Sequence, residues 1–269
     1  MSGVAAEKEM GFRVERVALP AAGLRGGPAP LRLAHLSDLH LSRLRPRHER
    51  LVERINDWQP DLICLTGDLV TRRRSSWGLL QRLARGFQAS HGVFACPGNW
   101  EVKAGLRRET VRRMGSDCGV TFLANESRLI ETGAGRVRLC GLDDLARGWP
   151  LWEDALEGGR EADYTVLMAH APLAARLVTP EMDVDLVLSG HTHGGQMRVP
   201  LLWRLFLPSA HGDLVGGLYT MDWGAVYVSR GFGAAPRLPL RFMCPPEVAF
   251  ITLDRGCAPS DERSANGSL

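Results

Sequence analysis

Short apolar runs alternate with amphipathic stretches along most of this chain. Residues 31–37, 62–66, 92–96, 164–169 and 184–188 are strand-length and rich in Leu, Val and Ile, as expected of strands buried on both faces. Between them, residues 46–58 place Leu51, Val52, Ile55 and Trp58 at helical spacing, and Pro60 ends that helix. A second helix is predicted over about 76–89, with Leu79, Leu80, Leu83 and Phe87 on one side, and a third around 104–114. Strands separated by such helices imply βαβ crossovers and a mainly parallel sheet, an α/β class.

The remaining segments are read more coarsely. Residues 1–10, which carry Glu7, Lys8 and Glu9, are predicted to be disordered, 12–19 alternate like an edge strand, and the Gly/Pro-rich 21–30 is a loop. Residues 120–123 and 136–142 read as further strands. Residues 256–269 are small and polar, as in a tail. No linker divides the chain, so the expected organisation is a tail, edge strand and loop over 1–30, one domain over 31–254, and a tail over 255–269.

Composition changes this picture little. At 269 residues and 45% apolar content a single large domain can bury a substantial core. The formal charge is +3, and only Lys8 and Lys103 are lysines. Arginine forks suit phosphate recognition, although a GC-rich genome gives the same bias. The six cysteines show no C-x-x-C pair, and three lie in strand-like runs, which fits a reducing compartment. Residues 1–10 lack an apolar core of a secretory signal or spanning helix, so a cytoplasmic location is expected, with peripheral contact to an inner membrane as a variant.

The chemistry sits at strand ends. Asp38 and His40 follow the first run, Gly67-Asp68 the second, Gly98-Asn99 the third, His170 the fourth, and Gly190-His191-Thr192-His193 the fifth. An α/β sheet delivers side chains to its carboxyl-end crevice in this way, and two histidines at i and i+2 on a Gly-rich turn suit a metal. Singly, Asp68 or Asn99 reads as a cap or turn residue. His35, three positions before Asp38 on a strand, points to the opposite face and is read as core.

This ordered set, D-x-H, G-D, G-N, a lone His and G-H-x-H, resembles the calcineurin-like metallophosphoesterase superfamily over roughly 31–253. Gly194-Gly195-Gln196 and the later Ser229 to Gly233 stretch resemble its small bacterial single-domain branch. The resemblance implies two mixed sheets packed as a sandwich with flanking helices, four layers in all, with 164–169, 185–188, 224–229 and 247–252 in the second sheet. It further implies that Asp38, His40, Asp68 and His193 hold one divalent ion and Asp68, Asn99, His170 and His191 another, Asp68 bridging and Asp68, Asn99 and His170 counted as catalytic. Two ions about 3.5–4 Å apart clamp the attacking and leaving oxygens of an in-line displacement, and this ligand mix suits Mn, Fe or Zn.

The sequence departs from the family at one place. Where the family has Gly-Asn-His, this chain has Gly98-Asn99-Trp100. An indole N–H donates a hydrogen bond but transfers no proton near neutral pH, which favours stable leaving groups: a pyrophosphate or an activated diester. His211 is a candidate substitute acid. Arg72, within Arg72-Arg73-Arg74, and Trp203, within the apolar 199–208 segment, are candidate substrate contacts. That segment is read either as core wall or as a loop touching lipid. Related bacterial members cleave the pyrophosphate of UDP-2,3-diacylglucosamine, so a phosphorylated small molecule or lipid-linked nucleotide is the expected partner. A nuclease or cyclic-nucleotide phosphodiesterase, which would need a basic groove with stacking aromatics, and a non-catalytic scaffold are the alternatives.

Overall fold

Thirteen strands form two sheets in the computed structural model, which describes residues 3–256 apart from 10, 72–74, 105–107, 159–160, 201 and 237–238. The first sheet contains β1 (Gly3–Glu9), β2 (Phe12–Pro20), β3 (Leu31–Leu36), β4 (Leu62–Thr66), β5 (Val93–Cys96), β6 (Val120–Phe122) and β13 (Glu247–Asp254), in the order β1-β2-β13-β3-β4-β5-β6. The second contains β7 (Glu126–Thr132), β8 (Gly135–Gly141), β9 (Tyr164–Met168), β10 (Leu186–Ser189), β11 (Gly217–Met221) and β12 (Gly224–Val228), in the order β11-β12-β10-β9-β8-β7. Strands β3 to β6 run parallel, as do β8, β9, β10 and β12.

Helices α1 (Pro46–Trp58), α2 (Ser75–Ala84) and α4 (Arg108–Ser116) belong to the first half of the chain, with the short α3 (Asn99–Lys103) between the last two. Helices α5 (Trp152–Ala155) and α6 (Ala174–Leu177) belong to the second half. Alternate residues of each strand face opposite sides, and three apolar clusters follow. Leu33, Cys64, Val137, Val166 and Leu188 join the two sheets face to face. Leu51 and Ile55 of α1 and Leu80 of α2 pack with Leu36, Ile63 and Leu65 on the outer face of the first sheet. Ala174 and Ala175 cover Leu167, Val187 and Val226 on the other side. The result is the expected four-layer sandwich.

Helix α1 agrees with its prediction at both ends: Pro46 opens it at a position whose missing N–H costs nothing, and Gln59 closes it in the left-handed region with φ 53°. Helix α2 is shorter than expected.

Three expectations are corrected. Residues Gly3–Glu9 are ordered as β1, antiparallel to β2, although exposed or half-buried throughout. Their ladder needs only backbone groups, and Arg16 and Arg54 pair with Glu7 at 2.6 and 2.8 Å, so no apolar pattern announced the strand. Strand β2 is consequently interior, between β1 and β13, and not an edge. Strand β13 lies in the first sheet, parallel to β2 and antiparallel to β3. Both sheets bury their central strands, so an apolar run does not reveal which sheet it joins. The polar β7 and the half-buried β11 carry no apolar run that would predict them.

Candidate metal centre

At the carboxyl ends of both sheets, Asp38, His40, Asp68, Asn99, His170, His191 and His193 converge, and all seven are buried. Five of them, Asp38, His40, Asp68, His191 and His193, have φ between 41° and 68°, a region that non-glycine residues enter only when their surroundings over-determine it. The strands end there, and the chain turns sharply so that each side chain points into the crevice.

Glycines make the convergence close enough. A Cβ on Gly67 would run into the Gly98 backbone and into His170 Nδ1, and one on Gly190 would meet the Ser37 and Asp38 side chains. The G-D, G-N and G-H-x-H glycines are therefore contact surfaces between neighbouring loops.

Glu101, the acid of the Gly-Asn-Trp-Glu stretch, fixes two of those loops. Its fully buried carboxylate accepts the backbone N–H groups of Asp68 (2.9 Å), Leu69 (2.8 Å), Val70 (3.2 Å) and Gly98 (2.9 Å). Burial, then the neighbouring Asp68 charge, pushes its pKa up to about 7. Spacing alone gives Glu101 no role, since it becomes a hub only when Gly98 and Asp68 are brought together.

The side chains form two ligand-like groups, Asp38, His40 and His193 in one and Asp68, His170 and His191 in the other. In the first, His40 Nε2 faces His193 Nε2 at 3.1 Å, the rings are stacked, and Asp38 Oδ1 lies 3.2 Å from His193 Nε2. In the second, His170 Nε2 lies 3.3 Å from Asp68 Oδ2 and 3.1 Å from His191 Nδ1. Asp68 Oδ2 also lies 3.7 Å from His40 Nε2, so one carboxylate touches both groups. Asn99 turns its amide nitrogen toward His170 (3.4 Å) and His191 (3.0 Å) and its Oδ1 toward Lys103; a rotation about χ2 exchanges the two.

Ring tautomers are set from outside. His170 Nδ1 lies 2.8 Å from the Thr66 carbonyl and His191 Nε2 2.8 Å from the Ser209 carbonyl. A carbonyl only accepts, so these nitrogens carry the protons and His170 Nε2 and His191 Nδ1 face inward. Burial holds His40 and His191 down at about 4 and His193 well below its usual range. Burial opposes the charge on His170, but Asp68 beside it wins and raises it; the same pair keeps the Asp68 carboxyl low against its own burial. Burial raises Asp38 to about 6.

These residues fit a pair of cations. Asp38 Oδ1 is buried with no hydrogen-bond partner, and an orphaned carboxylate oxygen beside two imidazole nitrogens 3.1 Å apart is costly unless a positive charge joins them. The donors, carboxylate, imidazole and amide, are those that hold a divalent cation.

The family profile described as calcineurin-like phosphoesterase matches residues 31–195. This chain belongs to the calcineurin-like phosphoesterase family. It is 31% identical over 227 residues to the uncharacterized metallophosphoesterase YkuE of Bacillus subtilis, covering 82% of this chain and 78% of that one. It is 32% identical over 238 residues to the phosphodiesterase YaeI of Escherichia coli, covering 84% of this chain and 83% of that one. It spans 60% of the length of two longer Helicobacter pylori relatives. The Plasmodium protein GAP50, described as the anchor in the inner membrane complex, shares the fold with a TM-score of 0.52 at 12% identity, over 82% of this chain and 80% of that one. The chain is thus a metallophosphoesterase, a hydrolase, of the small bacterial branch.

A cleft of about 270 Å³ opens onto this phosphoesterase centre, lined by Asp68, Asn99, His191 and His193 together with Trp100 and Lys103. The half-buried Trp100 stands edge-on to His40 with ring centroids 5.5 Å apart, and its backbone N–H donates to Asp68 Oδ1 at 2.7 Å. Lys103 Nζ lies 5.0 Å from the Trp100 ring centroid.

The other sequence candidates fall elsewhere. His211 accepts the Asp213 N–H in its own loop and does not line the cleft. Trp203 is half-buried against Gly195 and is also absent from the cleft wall, while Pro208 reaches it. Arg72 lies outside the described residues. His35 is core as expected, bonded to Thr66 Oγ1 at 2.8 Å and edge-on to Tyr227.

Proposed function

We propose that this metallophosphoesterase hydrolyses a phosphodiester or pyrophosphate bond, with Asp38, His40, Asp68 and His193 holding one divalent ion and Asp68, Asn99, His170 and His191 the other. Bound together, such ions supply Lewis-acid activation of the phosphoryl group and of the water that attacks it. The protein's share is positioning. Glu101 holds the Asp68 and Asn99 loops against each other, and the Thr66 and Ser209 carbonyls aim the imidazoles. Lys103, in the cleft wall, offsets charge on a bound phosphoryl group.

The observation that carries the choice of ester is Trp100 in the cleft wall beside His40. An indole cannot give a proton to a departing alkoxide, so a leaving group that is already a stable anion is favoured. The phosphodiesterase named among the relatives supports the same choice. A lipid-linked nucleotide such as UDP-2,3-diacylglucosamine is the finer reading. It is supported by Leu202 and Leu205, 51% and 79% exposed in the segment that follows the histidine turn, which suit contact with an acyl chain or a bilayer surface. No described helix is long and apolar enough to cross a membrane.

Hydrolysis of bis-p-nitrophenyl phosphate, p-nitrophenyl phosphate, an alkyl monoester such as glycerol phosphate and a UDP-linked lipid with Mn²⁺ tests the reading. The diester and pyrophosphate should be cleaved well and alkyl monoesters poorly. Trp100→His should raise kcat on alkyl esters by up to about 10²–10⁴-fold, with less gain on aryl esters. Equal turnover of all classes by both proteins would refute the leaving-group argument.

A further inference from the structure

A second cavity of about 220 Å³ is walled by His40, Arg43, Arg45, Arg47, His48 and Arg241. We propose that it is an anion subsite that takes a phosphate group.

Four guanidinium groups share one concavity whose described lining contains no Asp or Glu. Exposed arginines usually need no explanation, since water solvates them, and Arg43 and Arg45 alone would mean little. Arg47 is different. It is half-buried with its guanidinium over the Phe232 ring at 5.3 Å, and its Nε is buried with no hydrogen-bond partner. A buried, charged donor without an acceptor is expensive, and no described carboxylate pairs with Arg43, Arg45 or Arg47. Burial and the repelling charges of Arg45 and Arg241 all work against the Arg47 cation. Such a group persists where something negative joins it.

The backbone adds to the field. The cavity lies at the start of the thirteen-residue α1, whose first-turn N–H groups and dipole favour an anion. Arg241 contributes charge and no free fork: its Nε donates to the Gly233 carbonyl at 2.6 Å, its Nη2 to the Arg230 and Gly231 carbonyls at 2.8 and 3.0 Å, and its Nη1 to the His193 and Cys244 carbonyls, both at 3.3 Å. The volume is several times the roughly 30 Å³ that one water occupies in the liquid, room for a phosphate group. Arginine forks match its oxygens bidentately.

The position has a consequence for substrate choice. His40 lines this cavity but not the cleft, and the two linings share no described residue, Gly233 and Ala234 lining the one and their neighbour Ala235 the other. A phosphate held here is therefore a remote one and not the group being cleaved. Its source is either a second phosphate on the substrate or free inorganic phosphate.

Two measurements decide this. Equilibrium dialysis of labelled inorganic phosphate against Mn²⁺-loaded protein should show a binding class that Arg47→Gln weakens at least tenfold while the metal content, read by elemental analysis, stays the same. Arg45→Gln, at an exposed position, should weaken the same class to a smaller degree and serves if Arg47→Gln folds poorly. Identical phosphate binding in wild type and both variants would overturn the subsite. In the second measurement, KM is compared for thymidine 5′-p-nitrophenyl phosphate with and without a 3′-phosphate. A lower KM for the 3′-phosphorylated ester, lost in Arg47→Gln, identifies the substrate's own phosphate as the ligand. Equal KM values with the dialysis class intact identify free phosphate. Failure to cleave either ester would count against the proposed diester hydrolysis and leave the dialysis result to decide the subsite.

Discussion

The two sheets bring different chemistry to one crevice. The first contributes Asp38, His40, Asp68 and Asn99, the second His170, His191 and His193. The loops of the first are gathered by a buried acid, Glu101, that accepts four backbone N–H groups. The rings of the second are aimed by backbone carbonyls that accept a ring proton, as Thr66 and Ser209 do for His170 and His191. One side is organised through its backbone donors and the other through its side-chain donors. Loss of the acidic side should therefore disturb geometry and charge together, whereas loss of one imidazole contact should disturb a single ligand.

The sharpest break of this contrast is Asp68→Ala, because Asp68 touches both ligand groups. Metal analysis should show both ions depleted, and kcat/KM on a diester should fall by on the order of 10³-fold or more. Near-full metal occupancy in the variant would show that Asp68 does not bridge.

Glu101→Gln comes next. A neutral amide has one acceptor oxygen in place of two, so some of the four N–H groups lose their partner. Metal affinity should drop by about 10–100-fold, the range typical of groups that orient ligands, with Mn²⁺ restoring activity at higher concentration. If the variant needs no more metal than the wild type, the acidic loops are held by something other than Glu101.

Acid should separate the two sides further. If Asp38 and His170 hold metal as proposed, loading requires Asp38 ionised and His170 free of its inward proton. Burial raises the first to about 6 and Asp68, outweighing burial, raises the second. Metal affinity should thus climb with pH through about 6 and above, read by titration at fixed ionic strength.

A milder, stabilising contribution belongs to His35, which burial holds at about 3. Its folded value lies below the unfolded value of roughly 6.5, so the unfolded chain takes up a proton that the folded one refuses. The stability this provides is complete above about pH 6.5 and is lost as pH falls toward 3. Chelator-treated His35→Phe should show a shallower fall of Tm with acid than the wild type over that window, with a pH-independent offset for the lost Thr66 bond. Parallel curves would place the acid sensitivity elsewhere.

The smallest effect is expected at Leu205→Ser. At 79% exposure the change should leave stability within about 0.5 kcal/mol and small aryl diesters nearly unaffected, while weakening binding to phospholipid vesicles or turnover of a lipid-linked substrate. Unchanged vesicle binding would remove the lipid reading and leave the diester reading intact.

Much of this protein was legible before any coordinates. Apolar runs located β3, β4, β5, β9 and β10, because a strand covered on both faces tends to be apolar on both. The residues that converge in the crevice could be picked out because each stands directly after such a run, with glycines beside several of them where loops pack closely. What the sequence could not carry is whatever depends on elements far apart in the chain. The polar β1 forms through a backbone ladder that leaves no side-chain signature. Strand β13 pairs with β2 and β3, which come from the other end of the chain, so no local pattern records the sheet it joins. Glu101 has four backbone ligands, and Arg47 has company in Arg241, only once the loops are packed. Hydrophobic periodicity records how much of an element is covered; what covers it, and which buried charge is left without a partner, is decided by the tertiary contacts.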